Sequence, residues 1–130
     1  MTDYQQLGGQ AGVERLVRAF VTRVVQDPII GFFFQDRNIE RIILHEVEHA
    51  SEVLGGPTAY TGRPLVPVHR KLGIHQGHVR RRLALLRQVL REHGVNEATT
   101  ERWLASDRQL GSKLALPTDC GPGRILSDGG

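Results

Sequence analysis

Between residues 10 and 26 the apolar side chains fall at Val13, Leu16, Val17, Phe20, Val21 and Val24. Steps of three and four put all six on one face of an α-helix; a half-buried strand would alternate in steps of two. A helix with one such stripe has to bury it against other helices or a sheet. No strand or hairpin signal follows, so the partners must be helices too.

The rest of the chain supplies them. Thr2 and Asp3 cap a short turn through Leu7, and Gly8 and Gly9 punctuate it. Asp27 followed by Pro28 reads as a cap and a first helical residue, so a short helix is expected over 28–34, carrying Ile29, Ile30 and Phe32, Phe33 and Phe34. Asn38 caps a helix to about residue 54, with Ile39, Ile42, Ile43, Val47, Ala50, Val53 and Leu54 as its apolar residues. Gly55, Gly56 and Pro57 end it. Residues 64–71 hold one or two helical turns at most, because Pro67 interrupts them. A helix over 76–93 has the stripe Val79, Leu83, Leu86 and Leu90, broadened by Leu85 and Val89, and stops at Gly94. Asn96 caps a last helix over 97–116, with Trp103, Leu104, Leu110 and Leu114, which Pro117 stops. The expected organisation is one all-α domain over 1–117 and a disordered Gly, Asp and Ser-rich tail over 118–130.

Composition narrows the function. At 130 residues the chain supports one real core, and a net charge of +3 is too small to argue for nucleic acid. Arg80, Arg81 and Arg82 form a basic run, but without interleaved aromatics it reads as a helix face rather than a nucleic-acid patch. No apolar run reaches membrane-spanning length, and the polar opening MTDYQQLGGQ has no signal-peptide pattern. The single Cys120 excludes an internal disulfide and a Cys-rich zinc site, so a reducing, cytoplasmic setting is expected.

Two constellations can carry chemistry. His45, Glu46 and His49 fit H-E-x-x-H, in which two imidazoles one turn apart bind Zn²⁺ and the carboxylate works on its water. Glu48 beside the second histidine and the lack of a third ligand nearby weigh against it. A solvent-facing stripe of His and Glu is the plainer alternative. His69 lies among Leu65, Val66, Val68, Leu72 and Ile74. An imidazole there can ligate a metal through one nitrogen and donate from the other, or be a core histidine satisfied by hydrogen bonds.

A family resemblance favours the second, with a zinc-dependent hydrolase on the His45–His49 helix as the alternative. Leu7, Gly8 and Gly9; Phe20, Arg23 and Val24; residues 27–34; and Leu54, Gly55, Gly56 and Pro57 are followed by Tyr60, Thr61, Gly62 and Arg63. Val68 and His69, then Gly73, Ile74 and His78, complete the pattern. In this combination, over residues 4–95, the chain resembles the truncated haemoglobins, short globins with a two-over-two helical sandwich, and most of all their first group.

The resemblance implies haem b, bound noncovalently. His69 matches the proximal iron ligand. Phe34 matches the phenylalanine on the haem face, with Phe33 as the alternative register. Val68 and Ile74 match apolar contacts beside the proximal ligand, Ile42, Glu46 and Ala50 fall on the distal helix face, and Leu86 joins the haem-contacting set. His45 matches a histidine that binds the iron from the distal side in some members, so a six-coordinate bis-histidyl haem is implied; the alternative has His45 in solvent and an open site. The implied role is binding of O₂, NO or CO, redox chemistry, or NO dioxygenation with an external reductase, by a monomer. Three departures stand out. Val21 replaces a tyrosine that donates to bound oxygen. Glu46 replaces a glutamine; ionised, it accepts but cannot donate. Arg82 stands where an apolar pocket residue is expected, which implies a locally rotated helix or an arginine reaching for a haem propionate.

Overall fold

The computed structural model describes residues 1–57 and 73–115. The turns expected over 64–71, with Val68 and His69, and the tail expected over 118–130, with Cys120, lie outside the described residues.

Five α-helices and one 3₁₀ turn make up the described residues, with no strand among them. They are α1 (Asp3–Gln6), α2 (Gly9–Val25), the 3₁₀ turn η1 (Gly31–Phe34), α3 (Ile39–Val53), α4 (Gln76–Glu92) and α5 (Glu97–Leu114). Their starts are capped as the sequence leads one to expect. The Thr2 side chain accepts from Gln5 N while Gln5 reaches back to Thr2 N. Asn38 accepts from Arg41 N and Asn96 from Thr99 N.

Helix α2 packs against α3 on one side and α4 on the other, and α4 packs most extensively on α5. The chain is therefore two helix pairs, α2 with α3 and α4 with α5, stacked through α2 and α4. The stripe that opened the sequence reading is buried throughout: Val13, Leu16, Val17, Phe20, Val21 and Val24. Facing it are Ile43, Val47, Ala50 and Leu54 of α3 and its cap, Leu85, Leu86, Val89 and Leu90 of α4, and Trp103 and Leu104 of α5. Each fully buried leucine contributes roughly 1.5–3 kcal/mol over leaving it in water.

Two glycines permit the close approaches. A Cβ on Gly12 would overlap the Leu7 carbonyl oxygen, so the turn from α1 into α2 requires its absence. A Cβ on Gly111 would stand 2.5 Å from Val79 Cγ1, so α5 lies directly on α4 there.

The structure departs from the sequence expectation in three places. The short helix after Pro28 is delayed to Gly31 and is 3₁₀. Asp27 Oδ2 accepts from both Ile29 N (3.0 Å) and Ile30 N (3.1 Å), which folds residues 27–30 into a turn instead. Leu83 is only half-buried at the edge of the core. On α5, buried polar residues stand among the apolar ones: Thr99, Thr100 and Asp107. Thr99 Oγ1 donates to Asp3 Oδ1 at 2.9 Å, which latches α1 to α5.

Candidate functional site

The buried residues of α3 define its orientation. With Ile43, Val47 and Ala50 facing the core, Ile42, His45 and His49 form a separate stripe at steps of three and four. Glu46 falls between that stripe and the core face. Ile42, His45, Glu46 and His49 are all half-buried.

Beside α3, η1 contributes the aromatic wall. Phe33 and Phe34 are half-buried and pack on the edge of the core, whereas Phe32 is 53% exposed. The Phe32 and Phe33 rings lie 4.2 Å apart. His78, in the first turn of α4, sets its ring edge-on to Phe33 at 5.0 Å. Its Nδ1 accepts from His75 N at 2.9 Å, so in the neutral ring the proton sits on Nε2. Ile74, just before α4, is half-buried.

Where α3, α4 and α5 meet, Arg82 is the centre. Its Nη1 and Nη2 donate to Glu46 Oε2 (2.8 Å) and Oε1 (3.0 Å) as a fork. Its Nε donates to Asp107 Oδ2 at 2.8 Å. The guanidinium also lies over the Phe20 ring, 4.9 Å from its centroid. Burial opposes the charge on Arg82, but Asp107 and Glu46 outweigh it and raise its pKa, so Arg82 stays protonated. Arg82 therefore reaches Glu46 and Asp107 rather than turning outward towards a propionate.

Its neighbour Arg81 does something else. Arg81 holds Asp27 Oδ1 through Nη2 (2.5 Å) and Nε (3.0 Å). The Asp27 carboxyl is held below the usual carboxylate range, chiefly by Arg81, against the cost of burial and with help from the N–H groups of Ile30 and Ile29. This pair ties α4 to the turn that leads from α2 into η1.

Phe33 and Phe34 of η1 and Ile42 of α3 each pack half-buried on the edge of the core, and half-buried His45 and Glu46 continue the flank of α3 from Ile42. Leu86 is fully buried in the main core, at 1% exposure. Val68 and His69 lie outside the described residues. Val21, in place of the family tyrosine, is buried and offers only apolar contact. The flank suits a flat apolar group: a half-buried wall of two phenylalanines and an isoleucine, with an imidazole beside it. Nothing described supports a zinc hydrolase: among the described residues no three His, Cys, Asp or Glu side chains group to hold a metal ion, and Glu46 is engaged by Arg82.

Sequence reasoning singled out Arg82 but missed its partner Asp107. A signal was present: Arg82 interrupts the stripe between Val79 and Leu86, and Asp107 lies on the same side of its helix as Trp103 and Leu104. Opposite charges on two apolar faces suggest that those faces meet.

A family model, bacterial-like globin, matches residues 2–114. The group 1 truncated hemoglobin GlbN of Mycolicibacterium paratuberculosis is 32% identical over 112 residues, covering 86% of this chain and 82% of that protein. Truncated hemoglobin from Tetrahymena pyriformis, in the Fe(III) form, superposes with a TM-score of 0.79 at 24% identity over 91% of this chain and all of that one. The 2/2 hemoglobin from Synechococcus, in the cyanomet state with covalently attached heme, gives 0.81 at 22% identity, over 88% of this chain and 98% of that one. At these identities the two structures speak for the fold, and the two-over-two stacking described above is theirs as well.

Proposed function

The chain belongs to the bacterial-like globin family, with the group 1 truncated haemoglobins as its relatives, and from that premise we propose that it binds haem and serves small-ligand or redox chemistry at the iron. The observation that carries this reading is the family match over residues 2–114, which takes in the whole helical body. Bound haem supplies an iron centre that takes axial ligands and changes oxidation state.

The chain's own residues have separable tasks. Phe33, Phe34 and Ile42 exclude water from one edge of the group and hold its plane. Val68 and Ile74 would flank the proximal side, and His69 would hold the iron there. His45, on the half-buried stripe of α3, would hold it from the other side. The group is haem b, held without a covalent bond: the last helix, α5, has no histidine to make one.

A diatomic gas (O₂, NO or CO) would compete with the His45 side chain for the distal position. With Val21 in place of a tyrosine and Glu46 occupied by Arg82, no strong donor is offered to bound oxygen from those two positions. This favours electron transfer or NO chemistry with an external reductase over tight oxygen retention. The protein acts in the cytoplasm as a monomer. Among the described residues no helix is long and apolar enough to cross a membrane.

The test is the visible spectrum after haemin addition, ferric and dithionite-reduced, for wild type and His45→Leu. A low-spin wild type that turns high-spin in the variant is the expected result. A high-spin wild type that the substitution leaves unchanged would remove His45 from the iron.

A further inference from the structure

At Arg82 four helices meet over one charge. Helix α4 supplies the guanidinium, α3 the Glu46 fork, α5 the Asp107 carboxylate, and α2 the Phe20 ring beneath. The cluster is largely withdrawn from water, with side-chain exposures of 29% for Arg82, 25% for Glu46 and 6% for Asp107.

We propose that Arg82 is a positioning residue for the distal side of the haem: by gripping Glu46 it fixes the rotation of α3 and so the reach of His45. This rests on the reading of His45 as the sixth ligand.

The reasoning is geometric. Glu46 follows His45 directly, so the two side chains leave the helix about 100° apart and about 1.5 Å along its axis. Whatever fixes the direction of Glu46 fixes that of His45. The core face of α3 grips through Ile43, Val47, Ala50 and Leu54, and apolar contact is not directional. The Arg82 fork is directional. Both Glu46 oxygens are held by parallel N–H groups, so turning or sliding α3 strains charge-assisted bonds that its apolar face does not replace. Asp107 takes the other edge of the guanidinium and keeps Arg82 from following α3. The stacking over Phe20 fixes its plane.

A purely structural ion pair would look similar, and Arg102 is the control for it. On α5, its Nε and Nη2 grip the two oxygens of Asp3 as a fork at 2.7 Å each, and tie α5 to α1 rather than to α3.

The experiment uses the haemin-loaded full chain as wild type, Arg82→Met, Arg82→Lys, Glu46→Gln, Arg102→Met and His45→Leu. Two signals are read: the ferric visible spectrum, and the rate of CO binding to the ferrous protein after rapid mixing. That rate is limited by departure of His45. Arg82→Met should raise the high-spin fraction and speed CO binding about tenfold or more, given the loss of two charge-assisted bonds. Arg82→Lys keeps the charge but cannot fork, and should fall between. Arg102→Met should lower the melting temperature with a wild-type spectrum and CO rate. Arg82→Met with the spectrum and CO rate of wild type overturns the proposal. If Arg82→Met does not fold, Glu46→Gln decides on the same scale: a shift towards high spin supports the proposal, and no shift overturns it. A wild type already high-spin and unchanged in His45→Leu defeats the underlying reading and the proposal with it, which the His45 variant alone reveals.

Discussion

The interior between α2, α4 and α5 and the flank where α3 meets α4 are built from different forces. In the interior, Val13, Val17, Val21, Leu86, Val89, Leu90 and Leu104 are all at 2% exposure or less, and apolar contact alone holds them. At the flank, half-buried phenylalanines stand beside histidines, and an arginine with two carboxylates replaces apolar packing. The interior tolerates hydrophobic substitutions that conserve volume. The flank specifies direction at a cost in desolvation. A protein that must keep one imidazole aimed at a cofactor gains from having both.

The contrast can be broken from either side. The largest effect on stability is expected inside. Leu90→Ala should cost about 2–5 kcal/mol in denaturant unfolding, because a fully buried side chain is removed and the cavity collapses only in part. The molecules that remain folded should keep the wild-type ferric spectrum. A changed spectrum at full folding would show that interior and flank are one unit.

A smaller effect sharpens the comparison through pH. Asp27 has a lowered pKa in the folded chain, with Arg81 the main cause. The stability it contributes is present above the ordinary carboxylate value of about 3.9 and is lost as pH falls through the lowered folded value. Melting temperature should therefore drop in acid for wild type, and Arg81→Met should flatten that limb while lowering stability at neutral pH. An acid limb equally steep in Arg81→Met would assign acid sensitivity to other carboxylates.

The interior was legible in the sequence and the flank was not, for a physical reason. The six-residue stripe of α2 and the caps at Thr2, Asn38 and Asn96 follow from local periodicity and local hydrogen bonding, which a sequence displays directly. Helix α4 was placed correctly, but the direction taken by Arg82 depends on Glu46, 36 residues away, and Asp107, 25 residues away. Nothing local to Arg82 distinguishes an inward clamp from an arginine turned outward. The early helix expected from Pro28 failed similarly: the rule for a cap followed by proline held locally, but Asp27 commits its side chain to Ile29, Ile30 and the distant Arg81. The histidines could be located but not assigned roles by spacing alone. His45 with His49 made an apparent zinc pair, and only the resemblance to truncated haemoglobins implied another role for His45.

The central claim is that this helical body holds haem through His69, and haemin titration of wild type and His69→Gly, with and without added imidazole, tests it most directly. Saturable one-to-one binding with a histidine-ligated spectrum is expected for wild type. In His69→Gly the affinity and the axial-ligand signature should fall, and imidazole should restore the signature. A His69→Gly protein that binds haemin with wild-type affinity and an unchanged ferric spectrum would contradict the account.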